Sequence, residues 1–512
     1  MRTIKYNMIG WLALGLLLAA CSKQLNQQPP SNVVTSQFYS NTSDFQQAVN
    51  GVYNQLRNYP DQVLWMGEMR SDNVNAGSDG NRDWQGINDF SPNLTATTFI
   101  TTAWDNNFNG IYNANSVLDN LATKGGNVTD PALRARFGAE CHFLRAFYYF
   151  QLVRLYGPVP LVDHVVSSTD VAKIKRSPVA DVYKLIISDL QKAKDSLPAS
   201  YAVADVGRAT SWAAKALLGL VYLTRSGPTY SGVEGPTMGT NEWDLALTQF
   251  NDIINNSKFT FGAKYPDIFA YDKEDNPEVI FDVQFMTTNN GADFPSMLVN
   301  SGYWNGLGIS GSYGNGYGST SFDVSKNLRS SYVTSAAGAV DVRDTFNIQF
   351  KYNTTTTAPI QVDTSNPFIK KYINIAKRGT DYKDWPINFI VIRLTDVMMM
   401  KAECILNGAT GGTMAEVNDI VNKVRTRAGV PVVTGVDLPF LMEERRREFL
   451  GEGLRWNDMV REGMAVTTMN NWIGSDALTN LAQVIPAFII YPVPSAEILA
   501  SAGLYTQNPG YH

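Results

Sequence analysis

The chain has 512 residues, 44% of them hydrophobic and 17% charged, with a formal charge of −5 at pH 7. That is a globular composition, too long for one simple core, and its acidic balance without a basic tract excludes a nucleic-acid partner. With three histidines (His142, His164, His512) and three cysteines in the whole chain, no His/Cys metal site and no cofactor site is expected.

The chain opens with Arg2 and Lys5, then an apolar run from Met8 to Ala20 that closes as Leu18-Ala19-Ala20-Cys21. The run is too short to span a bilayer, which takes about 20 apolar residues. Early positive charge, an apolar stretch and small residues before a lone cysteine are the layout of a lipoprotein signal peptide over residues 1–20. Cys21 is the expected lipidation site, an acyl (palmitate-type) anchor, and residues 21–35 read as a flexible lipidated tether rich in Gln, Asn and Pro. The remaining Cys141 and Cys404 sit in apolar helical stretches and are expected as buried free thiols.

Residues 36–255 read as a helical-repeat region. From Trp104 the apolar positions Phe108, Ile111, Tyr112, Val117, Leu118 and Leu121 follow a 3.6-residue period. A second helix is expected over 131–156, opened by Pro131, apolar nearly all round and stopped by Gly157-Pro158. SPVADVYKLIISDLQKAKDSLP, with Ser177 as its cap, ATSWAAKALLGLVYLTRSG and NEWDLALTQFNDIIN predict three more. Consecutive helices joined by short turns suggest a tetratricopeptide-like scaffold.

Residues 256–386 form a loop-rich region, expected to face ligand or partner. EVIFDVQF reads as a strand, and SGYWNGLGISGSYGNGYGSTS carries too much glycine for helix. Residues 387–512 return to helix with FIVIRLTDVMMMKAECILNGA, MAEVNDIVNKVRTRAG and LPFLMEERRREFLGEGLRWNDMVREG, followed by an irregular tail.

No catalytic constellation is present: G-x-S-x-G, H-E-x-x-H, a Walker A loop and a dinucleotide fingerprint are all missing. Glu443, Glu444 and Glu448 stand among Arg445, Arg446 and Arg447, which hold carboxylates ionised and remove the raised-pKa acid that a glycosidase needs. Ion pairs at i,i+3 and i,i+4 are the expected arrangement there, with Asp396 and Glu403 satisfying buried partners. The Asp/Asn clusters SDNVNAGSDGNRD and YDKEDN lack the position-12 Glu of a calcium loop and read as surface loops.

Aromatic residues on polar, glycine-rich loops are the candidate ligand contacts. A sugar presents an apolar C–H face and a rim of hydroxyls, which suit aromatic faces and Asn, Asp or Arg side chains respectively. Trp84 with Asn81, Arg82 and Asp83, and also Asn73 and Asp79, forms one group. Tyr303, Trp304 and Asn305, with Tyr313 and Tyr317, form the other. The alternative is that these rings pack beneath their own loops.

The chain resembles the SusD/RagB family of Bacteroidetes outer-membrane lipoproteins. The resemblance rests on RFGAECHFLRAFYYFQLVRLYGPVPLV, RSPVADVYKLIISDLQKAKDSLP, GRATSWAAKALLGLVYL, NPEVIFDVQF, FIVIRLTDVMMMKAECILNGA, EERRREFLGEGLRWNDMVREG and IYPVPSAEIL…QNPGY, in that order behind the Cys21 signal. It implies a mainly α fold, with about four tetratricopeptide-like helix pairs, a loop-rich subdomain and short strands. It further implies an outer-membrane location facing the cell exterior, a SusC-like TonB-dependent transporter as partner, and an oligosaccharide cargo that is bound and not cleaved. Peptide or another nutrient as cargo is the alternative, and a surface glycosidase the more distant one.

Overall fold

The computed structural model describes residues 38–76, 82–287, 290–313, 322–332 and 340–512, so the expectations for Cys21, Asp79, Asn81 and Tyr317 fall outside the described residues. The longer helices are α1 (Thr42–Asn54), α2 (Thr98–Lys124), α3 (Pro131–Tyr156), α4 (Val179–Ser196), α5 (Ser211–Ser226), α6 (Trp243–Asn256), α7 (Leu394–Leu406), α8 (Met414–Ala428), α9 (Leu438–Glu448), α10 (Arg455–Arg461) and α11 (Ala465–Ser475). Each of α1 to α8 packs on the next in chain order. That quasi-one-dimensional stacking is the tetratricopeptide-like scaffold, and the fold is mainly helical.

The helix α3 sits at its centre. Asp130 caps it, its carboxylate accepting from the N–H groups of Ala132 (2.8 Å) and Leu133 (3.3 Å), with Pro131 in the first turn. Phe143, Phe147, Tyr148, Tyr149 and Phe150 are buried core, as is Trp104, and Cys141 and Cys404 are buried free thiols. Gly110 of α2 lies against the Tyr148 ring, where any β-carbon would collide with it. Buried Arg145 joins three helices: it donates to both oxygens of Asp189 on α4 (2.7 and 2.9 Å) and to Asn115 of α2 (2.7 Å).

Gly157 ends α3 at φ +67°, and a β-carbon there would strike the Glu234 carbonyl oxygen. Gly157→Ala is therefore expected to cost about 1–3 kcal/mol for the left-handed backbone, with the collision in addition. A melting temperature unchanged by the substitution would show that the turn relaxes freely.

Three local expectations are corrected. Ser177 does not cap α4; the Val179 N–H is instead taken by Glu234 Oε1 at 2.7 Å, a partner far along the chain. FIVIR is not helix but strand, antiparallel to EVIFDV: β2 (Val279–Val283) and β6 (Phe389–Arg393) form a two-stranded sheet. Two short helices, Ser301–Gly306 and Ser310–Tyr313, form within the glycine-rich stretch read as non-helical.

A second sheet matters more for the site. Its strands β1 (Val74–Asn75), β3 (Asp323–Val324), β4 (Ile348–Gln349) and β5 (Phe368–Ile369) lie in the order β1-β3-β5-β4. Pairing of Val74 with Val324 brings the two loop segments singled out in the sequence to one sheet.

The arginines of α9 do more than brace their own helix. Two i,i+3 pairs form, Arg446–Glu443 (3.3 Å) and Arg447–Glu444 (2.8 Å), but most partners are distant in sequence. Arg393 at the end of β6 reaches Glu448 (2.9 Å), Glu278 (3.2 Å) and Glu452 (3.0 Å). Arg427 of α8 binds the same Glu448 (2.6 Å) and Glu278 (2.7 Å), and Arg343 binds Glu444 and Asp341 at 2.7 Å each. Arg455 clasps Asp72 through two bonds (2.8 and 2.9 Å), tying α10 to the segment before β1. Asp396 and Glu403 take Arg445 (2.8 Å) and Arg461 (2.5 Å). Burial alone would raise the Glu444 carboxyl; Arg343, Arg447 and Arg425 outweigh it and hold Glu444 at about 2. These carboxylates are structural.

Candidate functional site

The helix α2 begins six residues before Trp104, at Thr98, and that extension puts Phe99 on the helix. The cap explains why. Thr97 makes no side-chain capping bond, and Asp83 instead accepts from the Thr98 N–H (2.9 Å) and from its hydroxyl. Asp83, expected as a ligand contact, is a capping residue delivered from a separate loop.

Ahead of β1 the chain makes a π-helical turn over Leu64–Glu68, in which the Met69 N–H bonds the Leu64 carbonyl at 3.0 Å. Such turns are rare and cluster at functional sites. Here the turn sets Trp65 at the centre of an aromatic group. Its ring stacks on Trp84 (5.9 Å between centroids, 24° between planes) and meets Phe99 (4.8 Å) and Phe322 (5.1 Å).

Between this group and the side chains of Asn58, Asp61, Gln62, Thr102 and Asn106 lies a cavity of about 170 Å³. Trp65 and Met66 form its floor, and Phe99 is the half-buried ring beside it. The rim offers amides and hydroxyls. Gln62 is oriented by Asn107 Nδ2, which donates to its Oε1 at 2.7 Å. Burial, with a hydrogen bond shared with Asp293, pushes the Asp61 carboxyl well above the usual range, against the weaker pull of Lys383. Burial thus favours the uncharged form of Asp61, whose buried Oδ1 has no hydrogen-bond partner among the described residues.

The expected ring platforms are not where the sequence put them. Trp84 is 5% exposed and Trp304 1%. Trp84 backs Trp65, while Trp304 packs among Tyr303 (5.4 Å), Tyr313 (5.4 Å) and Trp385 (6.2 Å). Neither indole offers a free face, because a large apolar ring gains more from packing under its loop than from standing in water. Tyr303 is half-buried against Phe368 of β5 (5.2 Å), Tyr313 is buried, and Arg82 and Asn305 are exposed. Asn73 is buried in the structural network, donating to Glu68 at 2.8 Å. Phe99, Trp65, Gln62 and Asn106 went unnoticed in the sequence; the signal available was an aromatic at the first turn of a helix whose start was set too late.

Asp323 on β3 is raised to about 8 by burial and by neighbouring Asp363. An acid raised on folding costs stability progressively as pH rises from its unfolded value near 4 to its folded value of about 8, and no further above that. Asp323→Asn, permanently neutral, should match the parent melting temperature near pH 3 and exceed it by a growing margin up to pH 8; an equal effect at both would remove Asp323 as the cause.

Among the described residues no cluster of three or more His, Cys, Asp or Glu is placed to hold a metal ion, and no helix is long and apolar enough to cross a membrane.

Two family profiles match the chain: one described as starch-binding and associating with the outer membrane over residues 23–223, and one of the SusD family over residues 337–511. A SusD-like protein of Bacteroides ovatus is 28% identical over 489 residues, covering 87% of this chain and 80% of that one. A laminarin-binding SusD-like protein superposes with a TM-score of 0.72 at 24% identity, over 92% of this chain and all of that one. Surface glycan-binding protein A of Bacteroides thetaiotaomicron, solved with laminarihexaose, gives 0.75 at 20% identity over 92% and 100%.

Proposed function

The chain belongs to the SusD family, and from that premise we propose that it is a cell-surface lipoprotein that binds an oligosaccharide and delivers it, uncleaved, to a SusC-like TonB-dependent transporter. The observation that carries this reading is the cavity between α2 and the π-helical turn. It has one half-buried aromatic ring, Phe99, an indole floor, and a rim of amides and hydroxyls, on the scale of a single sugar ring. The ring takes the sugar's C–H face; Gln62, Asn106 and the neutral Asp61 carboxyl exchange hydrogen bonds with its hydroxyls.

Capture without cleavage fits this cavity, since Asp61 is the one acid among its lining residues and a glycosidase works with a pair. Arg82 and Asn81, in the chain beside the Asp83 cap, and Tyr303 and Asn305 at the other loop are proposed as outer contacts to a longer chain. Lipidation at Cys21 supplies the tether to the outer membrane, with the binding face turned outward.

Relatives are named for laminarin and for starch, both glucans, so laminari- and malto-oligosaccharides head the panel for calorimetry. Binding to at least one glycan, with no release of reducing ends on prolonged incubation, is the expected result. Binding of peptides with no glycan bound would overturn the cargo, and reducing ends released at enzymatic rates would overturn the mechanism.

A further inference from the structure

The wall of the Phe99 cavity carries a single ionisable side chain, and it is an acid. Among the described residues that line it, Asp61 alone can bear a charge; the rest are amides, hydroxyls, rings and aliphatic groups, with no arginine, lysine or histidine. Lys383 acts on the Asp61 carboxyl against burial and Asp293, but it is exposed and does not line the cavity. A helix N-terminus is the other common seat for an anion, and α2 begins at this cavity with Thr98. That seat is taken. Asp83 accepts from the Thr98 N–H at 2.9 Å and from the Thr98 hydroxyl, and so places a second acid on that side.

The polar atoms that remain fit a hydroxyl. Asp61 Oδ1 is buried and without a hydrogen-bond partner among the described residues. Such an atom costs free energy until a ligand meets it. Its sequence neighbour Gln62 has its Oε1 taken by Asn107 Nδ2 at 2.7 Å, which leaves the Gln62 amide N–H groups to donate. A hydroxyl exchanges a hydrogen bond with the Asp61 carboxyl in either protonation state and accepts from Gln62 as well. A carboxylate or sulfate only accepts, and it would enter this wall with no cation to meet its charge.

We infer that this cavity selects sugar units without an acidic substituent and rejects uronic acids and sulfated sugars. Asp61 and Gln62 hold one hydroxyl between them while Phe99 takes the C–H face. The inference rests on the glycan-binding reading above and narrows its cargo. A chain in which every unit is acidic has no unit to place here, so selection at one ring selects the whole glycan.

The test is calorimetry on the full chain with four forms of one ligand. These are laminarihexaose, the same hexasaccharide with its primary hydroxyls oxidised to carboxylates, the methyl ester of that product, and a form sulfated at the same hydroxyls. Maltohexaose and its derivatives take their place if maltohexaose binds more tightly. The oxidised and sulfated forms should bind about tenfold more weakly than the parent sugar or worse, because their charge goes unpaired. Esterification should recover most of that loss, which separates charge from size. Thr102→Lys, at an exposed position of the rim, should bring the oxidised form to within about threefold of the parent sugar by supplying the missing cation. Asp61→Leu, which keeps the bulk and removes both oxygens, should weaken the parent sugar by about fivefold or more. Equal binding of the oxidised and parent sugars, an ester as weak as the acid, a gap indifferent to Thr102→Lys, or parent binding indifferent to Asp61→Leu would each overturn the inference and leave glycan binding in place. Failure of every neutral glycan to bind would instead overturn the reading beneath it.

Discussion

Arg393→Met is expected to destabilise the protein by about 3–5 kcal/mol, the cost of removing one partner from a buried ionic group. The side chain is 1% exposed and its guanidinium serves three carboxylates on separate parts of the chain: Glu278 before β2, Glu448 on α9, and Glu452 in the turn beyond it. Methionine fills a similar volume but leaves those charges in a medium that cannot solvate them. Arg427, Arg343 and Lys371 remain to neutralise part of the deficit. Lys371, lowered to about 8 by burial, is poorly held as a cation. Adding Glu452→Gln to Arg393→Met should recover part of the loss. Lys184→Met, which breaks the exposed pair with Asp181 (2.8 Å), should change almost nothing. Thermal unfolding of the three variants beside the parent checks this. Equal effects of Arg393→Met and Lys184→Met would mean that the network is not the weld between the repeat scaffold and the C-terminal helices.

Phe99→Ala is the second large effect, and it falls on binding. Losing the one half-buried ring of the cavity should weaken glycan affinity at least tenfold, about 1.4 kcal/mol or more. Phe99 is only half-buried, so the fold should survive with a modest loss of stability. Trp84→Ala is a different case. It removes a ring stacked behind Trp65, and both stability and binding should fall together, because the floor of the cavity shifts. Trp304→Ala should lower stability without a specific effect on this cavity. Calorimetry paired with melting temperatures for the three variants separates contact from support.

The repeat helices were legible because their apolar stripes run for three turns or more with capping signals at hand. Helix α3, with Asp130-Pro131 at one end and Gly157-Pro158 at the other, matches its expected bounds. FIVIR was not legible: a continuous apolar run reads alike as buried helix or buried strand, and only its pairing with Val279–Val283 decides. In α9 and α10 the interruption is at Gly451 (φ +79°) and Gly453 (φ +72°), a G-x-G pair that could have marked the break. The arginines were read correctly as structural but too locally, since periodicity reports neighbours on one helix and not partners hundreds of residues away.

The site was not legible in the flagged loops: the cavity is lined by residues 58–66 and 98–106, and neither aromatic-bearing loop contributes a lining residue. The rings that caught attention turn inward instead. Polar, glycine-rich neighbours suggest exposure, yet a polar loop can cover its own tryptophan. Phe99 was hidden for a different reason. The cap that starts its helix comes from Asp83, and no local pattern at 97–99 announces it.

The most direct test of the account is a crystal structure of the protein with the best-bound glucan oligosaccharide. The account predicts a sugar ring with its C–H face on Phe99 and its hydroxyls within hydrogen-bond distance of Gln62 and Asn106. A glycan bound elsewhere on the surface, with the cavity between α2 and the π-helical turn left empty, would contradict it.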